Sequence, residues 1–341
     1  MLKIPFIDSN ECRAFVTGGS GYVGGALVKS LLENGWKVNA LVNQSHGCLD
    51  GMNVNIIQGN LFEKDHLLKG MEGCEVVFHL AAKISFSPAD HKELMETNRN
   101  GTEMVLECAL QSKVKSTVVT SSACTMGIHP EPFPVDESTP CRSEWRKRNL
   151  YLDSKRAQEE VCLEFHKKGL RVVAVNPTTI FGPGDRSLNS GAFFKQVLHQ
   201  PFTLVPPGGT SVVDVEDIAQ GIIAAARFGK SGHRYILTSE NLTFKEIYQC
   251  IALYHNGRSR LVSVPPWTRS LLKMAASLFC LCQSLRGVDE SQLTPQIIED
   301  TFAYKWYSSA KAHEELGWNP AFSFKDSVKR SLLFYRKEGL L

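Results

Sequence analysis

Ala14-Phe15-Val16-Thr17-Gly18-Gly19-Ser20-Gly21-Tyr22-Val23-Gly24 decides the fold. A short apolar run ends in the pattern G-x-x-G-x-x-G, with Gly18, Gly21 and Gly24 at its corners, and Tyr22 to Leu32 then shows helical spacing. Each glycine has a task. One makes the tight turn, one lets backbone N–H groups approach a pyrophosphate, and one lets the helix pack against the strand. The helix N-terminus then favours negative phosphates. Three glycines alone would be equally compatible with a structural turn. Their place between a strand and a helix points to a dinucleotide held by Gly18, Ser20, Gly21, Tyr22, Val23 and Gly24.

Working outward, apolar runs recur at Lys37–Val42, Val54–Ile57, Glu75–Leu80, Ser116–Thr120 and Arg171–Val175. Helical stretches at Lys64–Gly70, Glu93–Gln111 and Leu150–Lys168 separate most of them. Strands alternating with helices imply βαβ units and a parallel sheet covered on both faces. The expected class is α/β, a Rossmann-type doubly wound parallel sheet. From about Gly182, Pro and Gly cluster and helical stretches dominate, which predicts a smaller, mostly helical C-terminal substrate-binding lobe. The expected partition is a nucleotide-binding domain at 10–180 plus about 208–230, and a lobe at 181–207 and 231–341.

The end of the second strand should distinguish the dinucleotides. An acid there binds the ribose 2′-hydroxyl, and an Arg favours a 2′-phosphate. Leu41-Val42-Asn43-Gln44-Ser45-His46 has neither, so NAD and NADP both remain open.

Tyr151-Leu152-Asp153-Ser154-Lys155 opens a helical stretch, and i, i+4 spacing puts Tyr151 and Lys155 on one face. A free phenol has a pKa of about 10. A neighbouring ammonium and an oxidised nicotinamide both favour its phenolate. In reverse, the phenol gives a proton to a carbonyl oxygen as hydride reaches carbon. Thr120-Ser121-Ser122 ends the fifth strand, where the Ser122 hydroxyl can orient a reacting oxygen. The bland readings are a solvated helix face and a turn-capping serine. The order glycine loop, strand-end serine, Tyr-x-x-x-Lys favours catalysis. Cys124 reads as a packing residue before a substrate contact, and His79, in an apolar strand, as a core histidine.

Composition narrows the classes. Of 341 residues, 43% are hydrophobic, and 38 Lys plus Arg against 35 Asp plus Glu leave a net charge of +3. That excludes a disordered chain and argues against a general nucleic-acid binder. The ten cysteines form no CxxC pair, so reduced thiols are expected and no metal site. Met1 to Cys12 does not read as a secretory signal, and no apolar run reaches the ~18 residues of a membrane span. Ser270 to Leu285 comes nearest. It reads as a buried or dimer-packing helix, with a lid or membrane-surface helix as the sharper alternative.

With these pieces placed, the chain resembles the extended short-chain dehydrogenase/reductases over nearly its full length. The resemblance rests on Thr17 to Gly24, Val77-Phe-His-Leu-Ala-Ala82, Asn98-Arg-Asn-Gly-Thr102, Thr120-Ser-Ser122 and Tyr151 to Lys155. Asn176-Pro177, Phe181-Gly-Pro-Gly-Asp185, Val213 to Asp217, Tyr235-Ile-Leu237 and Lys311 to Trp318 extend it. It implies that Ser122, Tyr151 and Lys155 are catalytic and that Lys155 also holds the nicotinamide ribose. Ala81 and Ala82 would let the cofactor pass closely. Asn60-Leu61 would meet adenine, with Asn60 replacing the usual Asp, Pro177 would lie beside the nicotinamide, and Asn98 would be structural or water-organising.

Within that group, 4,6-dehydratases usually carry Thr-Asp-Glu where this chain has Ser121-Ser122-Ala123, so water elimination is disfavoured. Nucleotide-sugar epimerases usually carry Arg-x-x-Asn where this chain has Asn176 and Thr179. The stretch 176–185, and more loosely Ser143 to Leu150, is more similar to dihydroflavonol-4-reductase-like and 3β-hydroxysteroid-dehydrogenase-like proteins. The expectation is an NAD(P)-dependent oxidoreductase acting on a ketone or secondary alcohol of a small, moderately apolar substrate, received by Lys83–His91 and Asp185–Pro206. An epimerase with retained cofactor and a non-enzymatic sensor or scaffold are the alternatives. A cytoplasmic location, no membrane association, and pairing into a homodimer through Glu93–Gln111 and Leu150–Lys168 complete the reading.

Overall fold

The computed structural model describes residues 12–85, 87–129, 131–141, 149–254, 259–285 and 294–341. The first half alternates as expected: β1 (Arg13–Thr17), α1 (Tyr22–Glu33), β2 (Lys37–Val42), β3 (Asn55–Gln58), α2 (Lys64–Met71) and β4 (Val76–His79). Then come α3 (His91–Met95), a π turn (Glu96–Asn100), α4 (Gly101–Gln111), β5 (Ser116–Thr120), α5 (Leu150–Lys167) and β6 (Val172–Pro177). The second half holds β7 (Thr179–Phe181), α6 (Gly191–His199), β8 (Phe202–Val205), β9 (Gly209–Asp214), α7 (Val215–Phe228) and β10 (Arg234–Leu237). It continues with β11 (Glu240–Thr243), α8 (Phe244–Leu253), β12 (Arg260–Ser263) and α9 (Arg269–Leu285). The last elements are α10 (Pro295–Phe302), β13 (Tyr304–Lys305), α11 (Ala310–Leu316) and α12 (Phe324–Lys337).

The main sheet has seven strands in the order β10-β6-β5-β4-β1-β2-β3, all parallel. Its apolar runs follow from burial on both faces. Ala14 and Val16 meet Leu27, Val28 and Leu31 of α1 and Ile218 and Ile222 of α7. Phe15, between them, points the other way, into Leu67, Met71, Val105, Val161 and Phe165 of α2, α4 and α5. The apolar stripes of α4 and α5 are therefore spent on the sheet. Leu163 of α5 remains 46% exposed.

Two features depart from expectation. The return to the main sheet was expected at 208–230. The strand there, β9, belongs instead to a four-stranded sheet with β7, β11 and β13. The seventh strand is β10, within the stretch assigned to the lobe, and it pairs Tyr235 with Val175. What 208–230 does supply is α7, packed on α1 and the sheet. The apolar Ser270–Leu285 stretch is helical, and its described side chains, buried at Ala276, are otherwise largely exposed, which departs from a buried helix but not from a dimer-packing one. Trp267 is 74% exposed and Leu278 58%, with Leu271 and Met274 also exposed. Among the described residues, no helix is long and apolar enough to cross a membrane.

Candidate active site

The carboxyl ends of β1, β4, β5 and β6 converge beside the N-terminus of α1, and the candidate residues sit there. Gly18 has φ +72°, and a Cβ on it would lie 2.5 Å from the Ala81 nitrogen and 2.7 Å from the Leu80 carbonyl carbon. Only glycine lets β1 and β4 close this tightly. A Cβ on Gly24 would strike the Gly18 carbonyl oxygen, so helix and turn touch backbone to backbone. The Gly21 N–H donates to Gly18 O at 3.1 Å. Gly21 caps α1 without a side-chain bond, and no acid occupies the first turn. A cradle of exposed N–H groups without a competing carboxylate fits a pyrophosphate. Ser20 lies in this loop, and Val23, in the first turn of α1, packs on the core.

The remaining cofactor candidates divide. Ala81 and Ala82 follow β4, and the Ala81 N–H donates to Thr17 Oγ1 at 3.3 Å. Pro177 is buried at the end of β6. Asn43 is exposed at the end of β2. Asn60 Oδ1 accepts the Phe62 N–H at 2.8 Å, and Leu61 is buried against Gly101. The Tyr22 side chain has a partner outside the glycine loop. Its hydroxyl donates to Gly182 O at 3.0 Å, and burial followed by the Asp185 carboxylate pushes its phenol up. Its side chain thus holds the 182–185 loop.

Ser122 caps a short turn, its Oγ accepting the Cys124 N–H at 3.3 Å. Tyr151 stands in the first turn of α5, capped by Asn149 Oδ1 on the Leu152 N–H at 3.1 Å. The phenol is half-buried, yet desolvation of its oxygen and then the nearby Cys124 thiol push its pKa up, and a hydrogen bond with Ser122 offsets only part of that rise. One turn on, Lys155 is buried and desolvation lowers its pKa to about 8. Its Nζ donates to Thr120 O at 3.0 Å and to Gln158 Oε1 at 2.9 Å. The expected trio therefore gathers at one edge.

Among the supporting residues, Glu159, Thr125 and Arg234 carried no sequence signal of their own, whereas Asn98 and Asn176 lay in stretches the sequence had marked. Glu159 Oε1 accepts from Ser121 Oγ at 2.6 Å, Thr125 Oγ1 at 2.8 Å and Asn176 Nδ2 at 2.6 Å, while Arg234 meets its other oxygen at 3.1 Å. Asn176 Nδ2 also donates to Ser122 O at 3.0 Å, so it pins the Ser122 turn. Asn98, buried in the π turn, accepts the Lys83 N–H at 2.8 Å and donates to Lys83 O at 2.9 Å and Ser154 Oγ at 2.9 Å. It ties the loop after Ala82 to α5. Lys83 itself pairs with Asp90 and Glu93. His79 is buried, and desolvation lowers its pKa to about 3.

A cavity of about 750 Å³ lies away from the glycine loop, against β6 and β10, lined by residues including Glu137, Cys162, Arg234 and Lys311. No disulfide joins the described cysteines, and no cluster of three potential metal ligands occurs among the described residues.

Comparison with known proteins places this geometry. A Synechocystis sp. protein provisionally named as a dihydroflavonol 4-reductase is 30% identical over 341 residues, 95% of each chain. Sterol demethylase protein B of Methylococcus capsulatus is 31% identical over 334 residues, 96% of this chain and 99% of its own. The crystal structure of gox2253 superposes with a TM-score of 0.83 at 26% identity, over 96% of this chain and 99% of that one. The profile of the NAD dependent epimerase/dehydratase family matches residues 14–237, from β1 to the end of β10. With a glycine turn built for a dinucleotide and a parallel sheet closed by β10, the chain belongs to that NAD-dependent family, among the extended short-chain dehydrogenase/reductases.

Proposed function

We propose that the protein is a nicotinamide-dependent oxidoreductase that interconverts a ketone and a secondary alcohol on a small, moderately apolar substrate. The observation that carries this is the convergence of Ser122, Tyr151 and Lys155, with the Tyr151 phenol hydrogen-bonded to Ser122 and the Lys155 ammonium buried one turn behind.

Gly18, Gly21, Gly24 and the first turn of α1 hold the pyrophosphate, and Ala81, Ala82 and Pro177 border the rest of the dinucleotide. When bound there, the nicotinamide would supply or accept the hydride. The chain's own residues manage the proton. In reduction, Tyr151 donates it to the carbonyl oxygen while Ser122 orients that oxygen. The phenol is protonated at neutral pH, as a proton donor must be, and desolvation makes it a weaker acid than a free phenol. Lys155 places a positive charge behind it and favours the phenolate left after transfer.

The same trio would serve an epimerase, but two features favour simple reduction or oxidation. The acid pair that a dehydratase needs for water elimination is absent at Ser121-Ser122-Ala123. Asn176, where a diphosphate contact is usual in the epimerases, is buried with its amide nitrogen taken by Ser122 O, Thr125 and Glu159. The names of the two relatives, a reductase and a sterol-modifying protein, agree with an apolar substrate.

The test is titration with NADH and NADPH, followed by 3-oxosteroids, β-keto esters, dihydroflavonols and UDP-glucose with the tighter cofactor. One cofactor oxidised per carbonyl reduced supports the proposal. Isomerised UDP-glucose with no net cofactor turnover overturns it in favour of an epimerase.

A further inference from the structure

Behind the candidate trio runs a line of buried polar side chains drawn from four elements. Thr17, His79, Thr102, Gln158 and Lys155 are at most 2% exposed. Gln158 Nε2 donates to Thr102 Oγ1 at 2.9 Å, and Thr102 Oγ1 donates to Asn98 O at 2.7 Å. His79 lies 2.8 Å from Thr102 Oγ1 through Nε2 and 2.7 Å from Thr17 Oγ1 through Nδ1.

Donor accounting leaves this line one arrangement. An ammonium only donates, so Gln158 must turn its oxygen to Lys155 and its nitrogen to Thr102. The single Thr102 hydroxyl proton goes to Asn98 O. Thr102 must then accept from His79, which fixes the Nε2–H tautomer. His79 Nδ1 accepts from Thr17, and Thr17 accepts the Ala81 N–H. Ala81 is the residue against which Gly18 packs most closely. The lysine is thereby tied to the cofactor turn.

Lys155 needs such a tie. Its i, i+4 neighbour Glu159 is engaged by Ser121, Thr125, Asn176 and Arg234. The titratable groups that act on the ammonium are Cys124 beyond Ser122 and Glu159 and Cys162 on its own helix, and it acts in turn on neutral His79 of β4. Two oxygens, Thr120 O and Gln158 Oε1, accept its hydrogen bonds.

We propose that Gln158 is a positioning residue that holds the Lys155 ammonium in place behind Tyr151 and couples it, through Thr102, His79 and Thr17, to the cofactor turn. This rests on the oxidoreductase reading for its purpose but not for its test. Removing the oxygen strands an ammonium N–H, which favours neutral lysine. A carboxylate in its place favours the charged form.

The experiment follows the Lys155 side chain by NMR in protein labelled with 13C at lysine Cε, the signal being assigned by its loss in Lys155→Met. Wild type should titrate near pH 8. Gln158→Met should lower that midpoint by about one unit or more. Gln158→Glu should raise it by a similar amount. If the Met variant does not fold, the Glu variant decides alone by the sign of its shift. Midpoints unchanged in folded variants overturn the proposal and leave Gln158 as packing. The titration needs neither cofactor nor substrate. An unchanged midpoint therefore leaves the oxidoreductase reading standing, and absence of hydride transfer in wild type overturns only that reading. With a reducible 3-oxosteroid as probe, the alkaline limb of reduction should move in the same direction as the midpoint in each variant.

Discussion

Two buried polar clusters share one face of α5 and treat charge in opposite ways. Glu159 carries a carboxylate that receives three neutral donors and the Arg234 guanidinium. Lys155, four residues earlier, carries an ammonium met by a backbone carbonyl and an amide oxygen. At i, i+4 the two would ordinarily pair with each other. Here each is drawn to its own side, Glu159 beneath the Ser122 turn and Lys155 toward the cofactor turn. A charge answered by an opposite charge builds structure. An ammonium whose hydrogen bonds go only to dipoles, with the Glu159 carboxylate acting on it from beyond them, costs stability, and under the proposed function it serves the reacting phenol.

After Tyr151 itself, the largest expected effect lies at Ser122, the substrate contact proposed between the two clusters. Serine at 122 replaced by Ala should cut the reduction rate about a hundredfold or more while circular dichroism stays native. On the structural side, Glu159→Ala strands three donors and a partly buried guanidinium. It should cost about 3 kcal/mol, read as a lower denaturation midpoint in urea. A small loss would mean that the carboxylate is not the anchor this geometry implies.

On the functional side the sign reverses. Desolvation depresses the Lys155 pKa to about 8, so the unfolded chain binds more protons between that pH and the ordinary lysine value. Stability should therefore rise as pH climbs through this window, and the buried ammonium is a cost below it. Lys155→Met should raise stability at pH 7 by about 2 kcal/mol and flatten the alkaline rise, while losing reductase activity. Destabilisation by this substitution would sink the contrast between the clusters.

His79 titrates in the opposite window. With its folded pKa lowered to about 3, the neutral imidazole's contribution is complete above the ordinary histidine value and is lost as pH falls toward 3. Urea midpoints measured from pH 7 down to pH 4 should fall, and should fall less in His79→Phe. The smallest effect serves as a baseline outside both clusters. Thr243 and Glu246 form a capping box on α8, and Thr243→Ala should cost about 1 kcal/mol with activity unchanged.

What was legible in the sequence follows from range. The strands of the main sheet announce themselves because both faces are buried, as Ala14-Phe15-Val16 shows. The glycine turn and Tyr-x-x-x-Lys are short patterns whose parts lie within a few residues. The smaller sheets are hidden because β7, β8 and β11 to β13 run two to four residues and pair far along the chain. Tyr22 lies in the glycine motif, yet its hydroxyl goes to Gly182, 160 residues on. Gln158 looks like any polar helix residue until Thr102, 56 residues earlier, is seen to take its amide proton. The exposed apolar face of α9 has the composition of a buried helix, and composition alone does not say which side is covered.

The most direct test of the account is Tyr151→Phe, with NADH and NADPH binding and hydride transfer to a reducible ketone measured on the same preparation. Cofactor affinity should stay within about threefold of wild type while hydride transfer falls about a thousandfold. Hydride transfer at the wild-type rate would contradict the account, because the proton would then come from a group other than Tyr151.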